Sequence, residues 1–88
     1  MSFKILLHPK AKEFLEKVDN ESKRRFKNKI KELTHHPNKG KRLKYSNFWS
    51  LRVGDYRVIY EIDEEKKRVI ILFIGHRKSV YDDFSKLF

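Results

Sequence analysis

Two hydrophobic rhythms alternate along this chain. Apolar residues three and four apart mark helices in the first half, while alternating or continuous apolar runs mark strands at the start and in the second half. "FKILL" at residues 3–7 reads as a short strand of buried type. His8-Pro9 then opens a helix, since proline's fixed φ suits a first turn and its missing N–H is not needed there. Ala11, Phe14, Leu15 and Val18 recur at helical spacing on one face. Asp19-Asn20 break that helix, with Asn20 suited to cap the next. In "ESKRRFKNKIKELTHH" Phe26, Ile30 and Leu33 form one narrow apolar stripe, and Lys23, Arg24, Lys27, Lys29 and Lys31 cover the remainder. His36-Pro37 ends this second helix, because a residue before proline avoids helical geometry.

The second half is strand-like. "NKGKRLKYSN" is a basic loop with room for a short edge strand around Arg42–Tyr45. "FWSLRVGDYRVIYEI" predicts a β-hairpin turning at Gly54-Asp55. A charged turn, "DEEKK", leads into the apolar run "VIILFIG". Ser79 then precedes a last short helix, with Asp82 three positions on as in a capping box, and with Tyr81, Phe84 and Leu87/Phe88 as its inner stripe. The order β-α-α-β-β-β-α predicts an α+β fold: an N-terminal strand and helical hairpin packed on a mainly antiparallel sheet, closed by a short C-terminal helix. No repeat or linker interrupts residues 1–88, so one domain is expected.

A two-residue turn fixes the hairpin pairing. Val53 faces Tyr56, Arg52 faces Arg57, Leu51 faces Val58 and Trp49 faces Tyr60, and paired residues project to the same side. One side is a core face. The other sets Arg52 opposite Arg57, with Ser50 and Ile59 beyond, and like charges so placed repel. If Ile62 pairs with Arg68 across "DEEKK", Arg57 faces Phe73 and Arg77 falls on the same side as Arg57; a slip of one residue would send it to the other face. In that register Arg52, Arg57 and Arg77 converge beside the N-terminus of the last helix. Such an arrangement suits phosphate, through forked charge-assisted hydrogen bonds and free helix N–H groups. Arg77 ends a buried strand and is expected to be the most ordered of the three.

Charge sharpens this picture. Twenty-two Lys+Arg against 12 Asp+Glu give +10, which points to a polyanionic partner. There is no Cys, hence no disulfide framework or thiolate metal site. No signal peptide is evident and "VIILFI" is too short to span a bilayer, so a soluble cytoplasmic protein is expected, with no membrane association. His8, His35, His36 and His76 lack the spacing of a metal site, and no Gly-rich phosphate loop or carboxylate cluster for Mg²⁺ is present; neither metal nor cofactor is expected. His76 is the histidine placed with the arginines. Chemistry on phosphate without a metal would use arginines against the developing charge and a neighbouring group to take a proton from the attacking hydroxyl. RNA carries that hydroxyl at its own 2′ position.

The blocks "LRVGDYRVIYEI" and "GHRKSVY", together with "LHPKAKEFLEKV" near the start, resemble the RelE/ParE superfamily of toxin–antitoxin toxins, with the archaeal RelE branch closest. The resemblance implies a compact toxin that cleaves mRNA in the ribosomal A site by 2′-hydroxyl attack on the adjacent phosphate. It also implies silencing by a RelB-type antitoxin that wraps its surface, with the helical hairpin and an exposed sheet edge as docking sites. Carried over by motif, Arg57 of "DYRV" and Arg77 of "GHRK" match the arginines that stabilise the phosphate, and Tyr81 of "SVY" the tyrosine that stacks on or orients the RNA. Arg52, Lys41, Arg42 and Lys78 would add RNA-binding charge. The family's two lysines on the strand entering the hairpin, one of them the general base, are replaced by Phe48 and Ser50. Lys41, Arg42 and Lys44 of the loop before the hairpin, or His76, stand as substitutes, with His76 and Lys44 the leading alternative bases. Two other readings share the same residues: a ParE-like inhibitor of DNA gyrase, and a nucleic-acid-binding module without catalysis.

Overall fold

The computed structural model describes residues 2–88. Strand β1 (Lys4–Leu7) leads into helix α1 (Pro9–Lys17) and helix α2 (Asn20–Lys31), followed by short 3₁₀ turns at Glu32–Thr34 and Pro37–Lys39. Strands β2 (Lys41–Arg42), β3 (Phe48–Val53), β4 (Tyr56–Asp63) and β5 (Arg68–His76) follow, then helix α3 (Val80–Leu87). The five strands form one sheet in the order β1-β5-β4-β3-β2. β1 runs parallel to β5, and the other neighbours are antiparallel. The mixed α+β fold is the one expected from the order of elements.

Local chemistry sets most of the boundaries. The His8 Nδ1 accepts a hydrogen bond from the Lys10 N–H at 3.1 Å, and Pro9 follows in the first turn of α1. Asp19, not Asn20, caps α2: its carboxylate accepts from the Ser22 N–H at 3.1 Å, and the Ser22 side chain, then this N–H, hold its pKa below the usual carboxylate range. A carboxylate at this position also meets the positive end of the helix dipole. The edge strand β2 covers Lys41–Arg42 rather than Arg42–Tyr45. The chain turns at Lys44-Tyr45 instead, with Ser46 Oγ donating to the Leu43 carbonyl and accepting from the Phe48 N–H.

The sheet buries both faces. Against α1, α2 and the 3₁₀ turn that follows it packs Leu51, Val53, Val58, Tyr60, Val69, Ile71 and Ile74 on Ala11, Leu15, Phe26, Ile30 and Leu33. On the opposite face a smaller cluster joins Ile59 and Leu72 to Val80 and Phe84 of α3, with Phe48, Ile70 and Phe73 around it. The inner stripe of α3 is therefore Val80 and Phe84. Tyr81, Leu87 and Phe88 lie largely outside it, with 42%, 50% and 47% of their surface exposed. Nor does a capping box form. Ser79 sits at φ −128°, ψ −5° and its side chain makes no cap hydrogen bond, because this is not the extended backbone that swings a hydroxyl over the first N–H groups.

Pairing in the β3–β4 hairpin is as the two-residue turn predicts, and Gly54 takes the positive φ (61°) that such a turn needs. The β4–β5 register differs from expectation. Asp63 rather than Ile62 pairs with Arg68, since Asp63 Oδ1 accepts from the Lys66 N–H and Oδ2 binds Arg68 Nη2 at 2.9 Å, closing a tighter turn. A bulge beside Ile59/Tyr60 then adds a second shift, and Arg57 pairs with Gly75, not Phe73. Two one-residue shifts restore parity, so the residues beyond the bulge keep their expected faces.

Candidate nucleic-acid interface

The face of the sheet away from the helical hairpin carries the cationic side chains. Register places Lys41 beside Ser50, and Arg52 beside Arg57, all on this face. Ser50 is buried, 1% exposed, under the start of α3. Its Oγ accepts a hydrogen bond from Arg57 Nη1 at 3.2 Å, and the Tyr81 hydroxyl lies at 3.2 Å from the same atom. Three elements thus meet at one oxygen: β3, β4 and the first turn of α3. Arg52 turns away from Arg57, donating from Nε to the Gly54 carbonyl at 3.0 Å.

Arg77 follows the last residue of β5. Its N–H donates to the Asp55 carbonyl at 2.8 Å, which continues the pairing one step beyond the strand, and its Nε lies 3.8 Å from Asp55 Oδ1. That ion pair is largely exposed. The fixed guanidinium in this region is therefore that of Arg57, not Arg77. The reason lies in depth: a part-buried acceptor holds Arg57, whereas solvent screens the Asp55 contact.

The other sequence candidates are dispersed. His76 is not with the arginines. It pairs with Tyr56, so its ring points to the helical-hairpin face, 5.5 Å from the Tyr56 ring, and its Nδ1 accepts from the Lys78 N–H at 3.2 Å. Strand alternation separates it from Arg57, one residue out of phase. Arg42 pairs with Trp49 and also faces away from Ser50, its Nε donating to the Ser46 carbonyl at 3.1 Å. Lys44 is exposed in the β2–β3 turn, and Lys78 is exposed after β5. Phe48 packs edge-on against Phe84, with ring centroids 5.0 Å apart.

Sequence reasoning missed the part played by Ser50. One signal was present: a small polar residue between Trp49 and Leu51 in the strand, on the face that holds Arg57. Lys41 is the cation that β2 sets next to it, a placement that depends on which two residues form the edge strand. A groove of about 720 Å³ at the far end of the sheet carries Glu61, Asp63, Glu64 and Glu65 against Arg42 and Arg68, a poor lining for a polyanion. Among the described residues no three His, Cys, Asp or Glu side chains gather as a metal site would need, and no helix is long and apolar enough to cross a membrane.

This fold, with a basic sheet face capped by a short helix, is that of the RelE-like toxins. The model for the ParE toxin of the type II toxin-antitoxin system, parDE, matches residues 5–81, and the chain belongs to that family. The resemblance to the RelE/ParE superfamily read from "LRVGDYRVIYEI" and "GHRKSVY" is thereby borne out. Among solved structures, the chain is similar to the RelB-RelE antitoxin-toxin complex from Methanococcus jannaschii at 28% identity and TM-score 0.69, over 90% of this chain and 98% of that one. It is similar to the toxin-antitoxin complex RelBE2 from Mycobacterium tuberculosis at 26% identity and TM-score 0.75, over 88% and 100%. A mutant of E. coli toxin RelE in the free state gives TM-score 0.80 over 99% and 98% at 22% identity, a likeness of fold. No curated protein matches the chain in sequence.

Proposed function

We propose that this toxin, acting as one domain over residues 1–88, is a ribosome-dependent mRNA endoribonuclease that inhibits translation in the cytoplasm. The observation that carries the reading is the convergence of Arg57 and Tyr81 on Ser50, beside the exposed Arg52 and Lys41 on the same face. Arg57 and Arg77 neutralise the charge that develops as the 2′-hydroxyl attacks the adjacent phosphate, and the exposed ring of Tyr81 offers a stacking surface to an unpaired base. Position 50 supplies no base, since a buried serine replaces the family's lysine. Lys41, on the same face, is better placed than Lys44 or His76 to take the 2′ proton. No metal or cofactor enters this scheme.

A RelB-type antitoxin is the partner that fits. A groove of about 300 Å³ between β1, α1 and α2 is lined by Ile5, Leu7, Leu15 and Ile30, with Lys27 and Lys31 at its rim. An amphipathic helix with acidic flanks suits it, and β1 leaves one strand edge open for an added strand. The RelB-RelE complexes of similar structures support an antitoxin of this kind.

A second reading has its own support. The matching family model is that of a ParE toxin, and Phe48 and Ser50 stand where the RelE-type lysines are expected. Purified protein added to a translating extract separates the two. Cleavage of mRNA within ribosomes, sparing free RNA, supports the nuclease; intact mRNA with trapped gyrase–DNA complexes supports gyrase inhibition.

A further inference from the structure

Ser50 is fully buried, at 1% exposure, among side chains that are otherwise apolar or aromatic. A hydroxyl in such a place is costly unless it is hydrogen-bonded. Here its partners come from two other elements and are both candidate functional side chains: Arg57 Nη1 and the Tyr81 hydroxyl, each at 3.2 Å. We infer that Ser50 is a positioning residue, a buried tether that holds the Arg57 guanidinium and the Tyr81 phenol in one fixed arrangement. The inference rests on the nuclease reading for its consequence, though not for its geometry.

The chemistry of the three groups supports it. Arginine has donors only, so Ser50 Oγ must accept from Arg57. Between the two hydroxyls either can donate, and both orders keep the same pair of oxygens together. Arg57 then retains its other N–H groups for a ligand. Without the tether each group is loose: arginine rides on a flexible stem, and Tyr81 is 42% exposed on the first turn of a helix of 8 residues. With it, the sheet and α3 are tied through the site itself. One of the two positions where the resemblance implies a lysine thus holds an aligning hydroxyl. Misplacement of a reacting group by about 1 Å can cost ~10²-fold in rate, so a tether of this kind has a measurable effect.

The test compares wild type, Ser50→Ala, Tyr81→Phe and the double variant on mRNA-programmed ribosomes, with tyrosine ring ¹³C NMR on the same samples. Tyr81→Phe cuts the tether from the exposed side and leaves the core intact. If Ser50 tethers, S50A lowers the saturating rate about tenfold to a hundredfold with little change in the half-saturating concentration. The Tyr81 Cζ resonance moves, and the double variant loses less than the product of the single losses. Additive losses, or an S50A protein with full rate and an unmoved resonance, would overturn the inference. A wild type that cuts nothing overturns the nuclease reading instead; the resonance then decides the tether alone, and an unmoved signal rejects it. Should S50A not fold, the resonance of Tyr81 in S50T, which keeps the hydroxyl, decides: retention of the wild-type shift supports the tether and loss of it rejects it.

Discussion

Arg52 and Arg57 stand directly opposite one another across the β3–β4 hairpin, and their guanidinium groups part: Arg52 Nε goes to the Gly54 carbonyl at 3.0 Å and Arg57 Nη1 to the Ser50 hydroxyl at 3.2 Å. Neither reaches a carboxylate within salt-bridge distance, unlike Arg68 with Asp63 or Arg77 with Asp55. Two unneutralised cations in one cross-strand pair are a standing repulsion of some tenths of a kcal/mol. An anion lying between them would remove it.

Arg57→Ala should reduce cleavage by about 10²–10³, the usual cost of losing a preorganised donor to a developing oxyanion. Arg77→Ala should cost less, because its screened contact to Asp55 leaves its head less fixed. Both variants should stay folded by circular dichroism: Arg77→Ala as an exposed substitution within about 0.5 kcal/mol of wild type, Arg57→Ala with a larger loss because it removes a hydrogen-bond partner from the buried Ser50 hydroxyl. Single-turnover rates on programmed ribosomes check the order; equal losses would mean that Arg77 is drawn into place by the substrate.

Lys41→Ala should lower the rate more than Lys44→Ala. Only Lys41 pairs with Ser50, on the face that holds Arg57, while Lys44 sits in the exposed turn. Removing a general base typically costs about 10²–10⁴, and a pH–rate profile that loses its limb in Lys41→Ala assigns the base. Equal, small effects of the two substitutions would remove Lys41 from that role.

Gly40→Ala should destabilise the protein and disturb the site at a distance. A Cβ there would stand 2.6 Å from the Ser50 carbonyl oxygen and 2.7 Å from the Tyr60 hydroxyl. That hydroxyl accepts from the Gly40 N–H at 3.0 Å and donates to the Pro37 carbonyl at 2.7 Å, which is how the chain is led into β2. Overpacking of this kind costs about 1–3 kcal/mol. Urea titration measures the loss, and activity should fall with it as β2 carries Lys41 away.

Burial raises the Tyr60 pKa above the ordinary tyrosine value of 10.0, the Gly40 N–H only partly offsetting it. Above about pH 10 the unfolded chain releases this proton while the folded one keeps it, so the native state binds more protons and stability falls as pH rises. Tyr60→Phe should be less stable at pH 7, by about 1–3 kcal/mol for the orphaned partners, yet show a shallower loss in alkali. Urea midpoints from pH 8 to 11 on both proteins test this; parallel slopes would refute it.

Lys27→Glu with Lys31→Glu should weaken binding of an acidic antitoxin while leaving cleavage intact, because this groove lies on the face opposite Arg57. The loss should be roughly tenfold at low salt and fade as ionic strength shortens the Debye length. Calorimetric titration at two salt concentrations is sufficient.

Much of this molecule was fixed within short stretches of sequence. Gly54-Asp55 allows one tight turn, and that turn dictates every pair from Val53/Tyr56 to Trp49/Tyr60. Alternation then assigns Arg52, Arg57 and Ser50 to one face and the apolar set to the other. Pro9 and the stripe of Phe26, Ile30 and Leu33 set the helical hairpin in the same local way. Packing between distant elements decided the rest. The bulge beside Ile59/Tyr60 and the Asp63–Arg68 closure moved β5 along β4, which set Gly75 rather than Phe73 opposite Arg57. Val80 and Phe84, not Tyr81, became the inner face of α3, because Ile59 and Leu72 are the apolar surface within reach. That left the Tyr81 phenol free to find Ser50, 31 residues away in the chain. Turn geometry and side-chain alternation are steric properties of a few neighbouring residues and can be read in order. A hydrogen bond between a helix and a strand so far apart depends on how two surfaces settle against each other, and only the folded chain determines that.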